Sequence, residues 1–216
     1  ELGNIYLPKS LPVTELPDER TMFTLGMYGK GDFFDMKGVI EEFFEKSGMK
    51  KKVHYTPDSN KTYLHTGRQA NISYEGKVVG YLGEVHPIVA DNYGIGERTY
   101  VAVIDILDIL EFCGFNHKFS GIAKYPAVTR DLSMVVPKHV LAGDIEKVFD
   151  ERGGKILESY ELFDIYEGAQ IKAGFKSLAY KLTFRAKDRT LTDTEISASM
   201  KKILNGLEAL GAELRQ

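Results

Sequence analysis

Lys176-Ser177-Leu178-Ala179-Tyr180-Lys181-Leu182-Thr183-Phe184-Arg185-Ala186 alternates between bulky apolar side chains and small or polar ones. A period of two marks a strand with one face in a core and the other in solvent. Leu178, Tyr180, Leu182 and Phe184 share the first face, and Ser177, Ala179, Lys181, Thr183 and Arg185 the second. Residues 130–136 read the same way, with Leu132, Met134 and Val136 inward and Asp131 and Ser133 outward. Residues 157–167 form a third strand. Uniform alternation there sends Phe163 and Ile165 to the core and Asp164 and Tyr166 to the open face. Residues 144–152 and 193–210 read as helices. The second opens on Thr192-Asp193-Thr194-Glu195, a capping box, with Leu191 and Ile196 at the staple positions. Its apolar stripe is Ile196, Met200, Ile203, Leu204, Leu207 and Leu210. A short strand at 212–215 completes the order β-α-β-β-α-β, the ferredoxin-like arrangement. An uncovered sheet face is a platform on which unstacked bases can lie, and also, more plainly, an ordinary solvated surface.

Upstream, residues 114–121 have the composition of a linker, and Pro126 forces extension before the next strand. A boundary near Lys118 gives domains at 1–118 and 119–216. The first mixes strands at the N-terminus, 22–28, 68–74, 77–83 and 99–105 with a helix at 34–46 and a helix start at His86-Pro87. Glu75-Gly76 reads as a hairpin turn, and Gly48 as a helix stop. Met36, Val39, Ile40, Phe43 and Phe44 line one helix face. The absence of a strict βαβ pattern makes this an α+β domain with an antiparallel-rich sheet.

The 216 residues are 43% hydrophobic and 27% charged, with a formal net charge of -3. That balance excludes a strongly basic nucleic-acid binder. Residues 120–216 carry 15 Lys and Arg against 14 Asp and Glu, so RNA contact there must rest on local geometry as well as charge. No apolar run approaches the ~20 residues of a membrane-spanning helix, and no signal peptide is evident. Cys113 is the single cysteine, so no internal disulfide forms. These features fit a cytoplasmic protein with no membrane or DNA partner, and the start at Glu1 fits a piece of a longer chain. His65, Arg68, Glu84 and His86 supply ligand types without any metal spacing, so no metal site is expected. Gly94-Ile95-Gly96 precedes a strand and reads as a turn.

Seven segments, in order, resemble the phenylalanyl-tRNA synthetase beta-subunit family. They are Asp32-Phe33-Phe34-Asp35-Met36-Lys37-Gly38, His65-Thr66-Gly67-Arg68-Gln69-Ala70 and Gly80-Tyr81-Leu82-Gly83-Glu84-Val85-His86-Pro87 in the first domain. In the second they are Tyr125-Pro126-Ala127-Val128-Thr129-Arg130-Asp131-Leu132, Leu162-Phe163-Asp164-Ile165-Tyr166, Lys176-Ser177-Leu178-Ala179-Tyr180 and Arg189-Thr190-Leu191-Thr192-Asp193. The resemblance covers nearly the whole chain and is to the C-terminal part of that subunit. It implies a degenerate class II synthetase-like module followed by a ferredoxin-fold anticodon-binding domain. It also implies a parent ligase that charges tRNA(Phe) with ATP and Mg²⁺, partnered by an alpha subunit in an alpha2-beta2 heterotetramer.

In that family the chemistry belongs to alpha. The region 100–107 lacks the glycines and the phosphate-clamping arginine of a working class II site, so no catalytic residue and no cofactor are expected in this piece. The resemblance assigns RNA contacts to Ser133, Asp164, Tyr166 and Ser177. On this resemblance Tyr166 is expected to stack on a base, Asp164 and Ser177 to bond base edges, and Lys181 or Arg185 to meet phosphate. The rival function is a stand-alone ferredoxin-like regulatory module that binds a small ligand or a protein.

Overall fold

The computed structural model describes residues 1–58, 60–114, 121 and 123–215. The chain divides into two units, Glu1–Phe119 and Ser120–Gln216. The expected boundary near Lys118, and most of the linker around it, lie outside the described residues.

The first unit begins with β1 (Leu2–Leu7) and β2 (Asp18–Tyr28), followed by α1 (Phe33–Lys46). Local chemistry starts this helix. Asp32 Oδ1 accepts from the backbone N–H of Phe34 and Asp35, and Asp35 Oδ2 accepts from Asp32 N at 2.8 Å. Gly48, at φ +79, ends it, and a Cβ there would fall 1.9 Å from the Gly114 carbonyl oxygen. Then come β3 (His54–Pro57), β4 (Leu64–Tyr74), β5 (Lys77–Val85), α2 (Pro87–Asn92), β6 (Thr99–Asp105) and α3 (Ile106–Leu110). Glu75 and Gly76 both take positive φ, as a tight two-residue hairpin requires. The strands form one antiparallel sheet in the order β1-β2-β6-β5-β4-β3. Met36, Ile40 and Phe44 of α1 are buried in a core with Ile72, Leu82, Tyr100, Ala102 and Ile104. Val39, expected on that face, is exposed. The short elements β3 and α3 are additional to the sequence reading. Each is too brief to show a period of its own, and pairing or capping specifies it.

The second unit runs β7 (Val128–Pro137), α4 (Ala142–Arg152), β8 (Leu157–Tyr166), β9 (Phe175–Phe184), α5 (Asp193–Glu208) and β10 (Glu213–Leu214). Its antiparallel sheet has the order β10-β7-β9-β8, with α4 and α5 in contact with each other. This is the ferredoxin-like β-α-β-β-α-β fold. Leu132, Met134 and Val136 of β7 and Leu178, Tyr180, Leu182 and Phe184 of β9 are buried with Ile145, Phe149, Ile196, Ile203 and Leu207 from the helices. Thr192 caps α5 reciprocally with Glu195.

Candidate nucleic-acid interface

The face of the second sheet opposite this core is built from rows of residues that strand pairing sets side by side. Ser133 of β7 pairs with Ala179 of β9, which pairs with Asp164 of β8. One row along, Val135 pairs with Ser177 and Ser177 with Tyr166. In the other direction Asp131, Lys181 and Glu161 stand in one row, then Thr129, Thr183 and Ser159. Side chains in a row lie ~5 Å apart, and rows on one face recur every second residue. Four of the expected residues, Ser133, Asp164, Tyr166 and Ser177, therefore occupy two adjacent rows.

Two residues join this cluster that the sequence reading passed over. Arg215 follows β10, and its backbone N–H donates to the Ser133 carbonyl at 3.0 Å. Its Nη1 donates to Ser177 Oγ and its Nη2 to Gln170 Oε1, each at 3.4 Å. The guanidinium carbon lies 5.7 Å from the Tyr166 ring centroid, within cation–π range. Ser177 is consequently buried, while Tyr166 is 37% exposed. The signal for Arg215 was present, since alternation carried into the last strand puts Glu213 and Arg215 on the face of Ser133. Gly168 is the second. A Cβ there would come 2.3 Å from the Tyr166 hydroxyl, so only glycine leaves room for the phenol as placed.

Uniform alternation misplaces Phe163 and Ile165. They are 52% and 58% exposed rather than buried. The inward residues of β8 are Tyr160 and Leu162, packed against the core. The register shifts between Leu162, opposite Tyr180, and Asp164, opposite Ala179, so Phe163 is the unpaired residue of a bulge. Lys181 Nζ lies 6.0 Å from the Phe163 ring centroid, which puts the ring on the open face. Ile165 keeps inward parity at the end of an edge strand.

The two expected phosphate contacts differ. Lys181 is exposed, about 13 Å along β9 from Ser177 at ~3.3 Å per residue. Arg185 lies beyond the end of β9, about 26 Å from Ser177 on the same rise. Its Nε pairs with Glu158 Oε2 at 2.9 Å, and its Nη1 donates to the Tyr125 carbonyl. The structure therefore separates Arg185 from the cluster and gives its charge a local partner.

In the first unit the candidate ligands are engaged locally. Glu84, buried, accepts from Arg68 Nη1 at 2.8 Å and from the Tyr100 hydroxyl at 3.0 Å. His65 Nδ1 accepts from Gly67 N, and His86 Nδ1 caps α2 by accepting from Ile88 N. At the junction of β6 and α3, Asp105 Oδ1 accepts from Leu107 N and Asp108 N. Arg20 bridges Asp105 and Asp108 at 2.6 and 2.7 Å, and Lys77 pairs with Asp108 and Glu111. A strand-to-helix junction that is to hold the phosphates of ATP must offer free N–H groups or unpaired cations. This one offers carboxylates to its own donors, and so does not fit that ligand.

Residues 1–106 match the family model "Phenylalanyl tRNA synthetase beta chain CLM domain", and residues 123–215 match "Ferredoxin-fold anticodon binding domain". The phenylalanine–tRNA ligase beta subunit of Clostridium acetobutylicum is 44% identical over 216 residues, all of this chain and 27% of that protein. That of Clostridium tetani is 40% identical over the same span, again 27% of its length. The chain thus spans about a quarter of the curated relatives it matches. A pyrrolysyl-tRNA synthetase structure from Desulfitobacterium hafniense overlays 51% of this chain and 39% of its own at 15% identity and a TM-score of 0.41, too low to bear on the fold.

Proposed function

The chain belongs to the phenylalanyl-tRNA synthetase beta-subunit family, and from that we propose that its second unit reads the anticodon of tRNA(Phe) for a ligase that attaches phenylalanine using ATP and Mg²⁺. The observation that carries this reading is the pair of adjacent rows holding Ser133, Asp164, Ser177 and Tyr166 on the face away from the helices, with Arg215 bonded across them. An unpaired base needs an aromatic plane to stack on and polar groups at its edge. Tyr166 supplies the plane. Asp164, whose carboxylate is exposed, accepts from base N–H groups, Arg215 and the Ser133 hydroxyl donate, and Ser177, buried beneath Arg215, accepts from its guanidinium and holds it in place. The first unit serves assembly with the alpha subunit in an alpha2-beta2 heterotetramer. In support, its strand-to-helix junction is closed by its own ion pairs, while Leu2, Tyr6, Leu11, Leu16 and Phe34 are exposed. Ile5, Tyr6 and Leu7, consecutive on edge strand β1, are all exposed, and an apolar edge of this kind suits a partner that covers it.

The test is affinity of the chain for tRNA with the phenylalanine anticodon against the same tRNA with that anticodon replaced. At least a tenfold preference for the first is expected. Equal affinity sinks the reading and returns the fold to a regulatory module.

A further inference from the structure

The bulge in β8 has a consequence for the number of bases the sheet can hold. With Tyr160 and Leu162 inward, unbroken alternation would carry Asp164 and Tyr166 into the core after them. One extra residue at Phe163 reverses the parity. Asp164 and Tyr166 return to the open face, and Phe163 stays on it. Three consecutive contact positions, an aromatic, a carboxylate and a second aromatic, then face solvent from one edge strand. Resting on the RNA-binding reading above, we propose that Phe163 is a second base-stacking subsite, which holds a different nucleobase from the one over Tyr166.

Phenylalanine has no polar handle, so half of its ring in water has no hydrogen bond to recommend it. Its environment suits a base. Lys181 Nζ lies over the ring, 6.0 Å from its centroid, so a base that takes this place on the ring releases the ammonium to meet the adjoining phosphate. Asp131 and Glu161 flank Lys181 in the register, so Lys181 is the one cation in its row across β7, β9 and β8. Spacing separates the two platforms. Phe163 and Tyr166 are three residues apart, about 10 Å at strand rise, whereas stacked neighbours on one strand are about 3.4 Å apart. A single base cannot cover both rings. The occupants are two bases of one single-stranded loop, splayed over Asp164.

The experiment uses the whole chain, the tRNA with the phenylalanine anticodon and the anticodon-replaced tRNA. Phe163→Ala, Phe163→Tyr, Tyr166→Ala and the double alanine variant are compared for RNA affinity and thermal melting. Phe163→Ala is expected to bind the matched tRNA about ten- to hundredfold more weakly. Phe163→Tyr should bind within about threefold of the parent, because a phenol also presents a π-face. The melting temperature should be unchanged in both, because the ring is outside the core. If Phe163→Ala binds as the parent while Tyr166→Ala is weakened, the second subsite is wrong and the anticodon reading stands. If the parent does not discriminate the two tRNAs, that reading falls and takes this inference with it. A drop of several degrees in melting for Phe163→Ala makes the ring structural and overturns the subsite. Unchanged RNA affinity with weaker capture of the alpha subunit makes it a protein contact, which overturns the subsite equally.

Discussion

Tyr166 is held in place by its neighbours. Gly168 admits its hydroxyl, Ser177 lies beside it in the register, and the Arg215 guanidinium stands 5.7 Å from its ring. Loss of one base stack is worth roughly 1–3 kcal/mol, so Tyr166→Ala should lower tRNA affinity about ten- to hundredfold, and Tyr166→Phe far less. Both variants should melt like the parent. Arg215→Ala should also weaken binding, and Arg215→Lys should not restore it, since a point charge cannot bond Ser177 and Gln170 in one plane. Full recovery by lysine would show that charge alone matters there. Leu182, fully buried, is the contrasting case, and Leu182→Ala should destabilise the unit by about 2–5 kcal/mol. Most of this cluster was legible in the sequence because a strand's period is local. Ser177 and Ser133 followed from alternation and from family motifs independently, whereas Asp164 and Tyr166 followed from the family motif and reach the open face only through a bulge that uniform alternation does not contain. Arg215 was legible by the same rule and lay one strand further on. Arg185 shows the limit of the rule. Alternation gives the face of a residue, but its distance along the sheet and its pairing with Glu158 depend on strand length and neighbours.

Elements differ in how much of their structure their own residues determine. Helix α5 is the most self-determined. Thr192, Glu195 and the stripe through Ile196, Ile203 and Leu207 all act within the segment, and the helix begins at Asp193 as the capping box requires. Strand β8 is the least. Its bulge is a property of pairing with β9, where Leu162 meets Tyr180 and Asp164 meets Ala179, and no pattern within residues 157–166 displays it. Alternation therefore points Phe163 inward, and pairing turns it outward. The capping box also gives a pH prediction. The Thr192 backbone N–H, and then the Arg189 guanidinium, hold the Glu195 carboxyl down from its ordinary 4.5 to about 2. A carboxyl with a depressed folded pKa contributes stability that is fully present above its unfolded pKa. The contribution is lost as pH falls from about 4.5 towards about 2. Thermal melting of the parent and Glu195→Gln should therefore differ most above pH 5, with the difference shrinking below about pH 4.5 and closing only near pH 2. A difference that is constant across this range would show that the carboxylate charge is not what caps the helix.

At the scale of the whole molecule, the two units differ in what their charges do. In the first, Arg20 and Lys77 are consumed by Asp105, Asp108 and Glu111. The purified chain should accordingly catalyse no phenylalanine-dependent ATP–pyrophosphate exchange, and exchange above background would contradict the reading of that junction. In the second, 15 basic residues nearly balance 14 acidic ones, and the open face presents Lys181 and Arg215 as its cations near the aromatic rings. Binding dominated by phosphate contacts releases counterions, and its logarithm falls against log salt with a slope near -0.7 per contact for a single strand. With Arg215 turned to the base edge and Lys181 as the phosphate contact, the slope is about -0.7, or roughly a threefold loss between 50 and 200 mM salt. A polycationic binder making six or more contacts loses a thousandfold or more on duplex DNA over the same interval. The shallow slope is expected here because stacking and base-edge hydrogen bonds, which release no counterions, carry the affinity. The two kinds of contact then separate by mutation. Lys181→Ala should flatten the slope by about 0.7. Tyr166→Ala should lower affinity at every salt concentration and leave the slope as it was. A steep slope in the parent, or a slope change on removing the tyrosine, would mean that RNA is held through its backbone and that this face does not read bases.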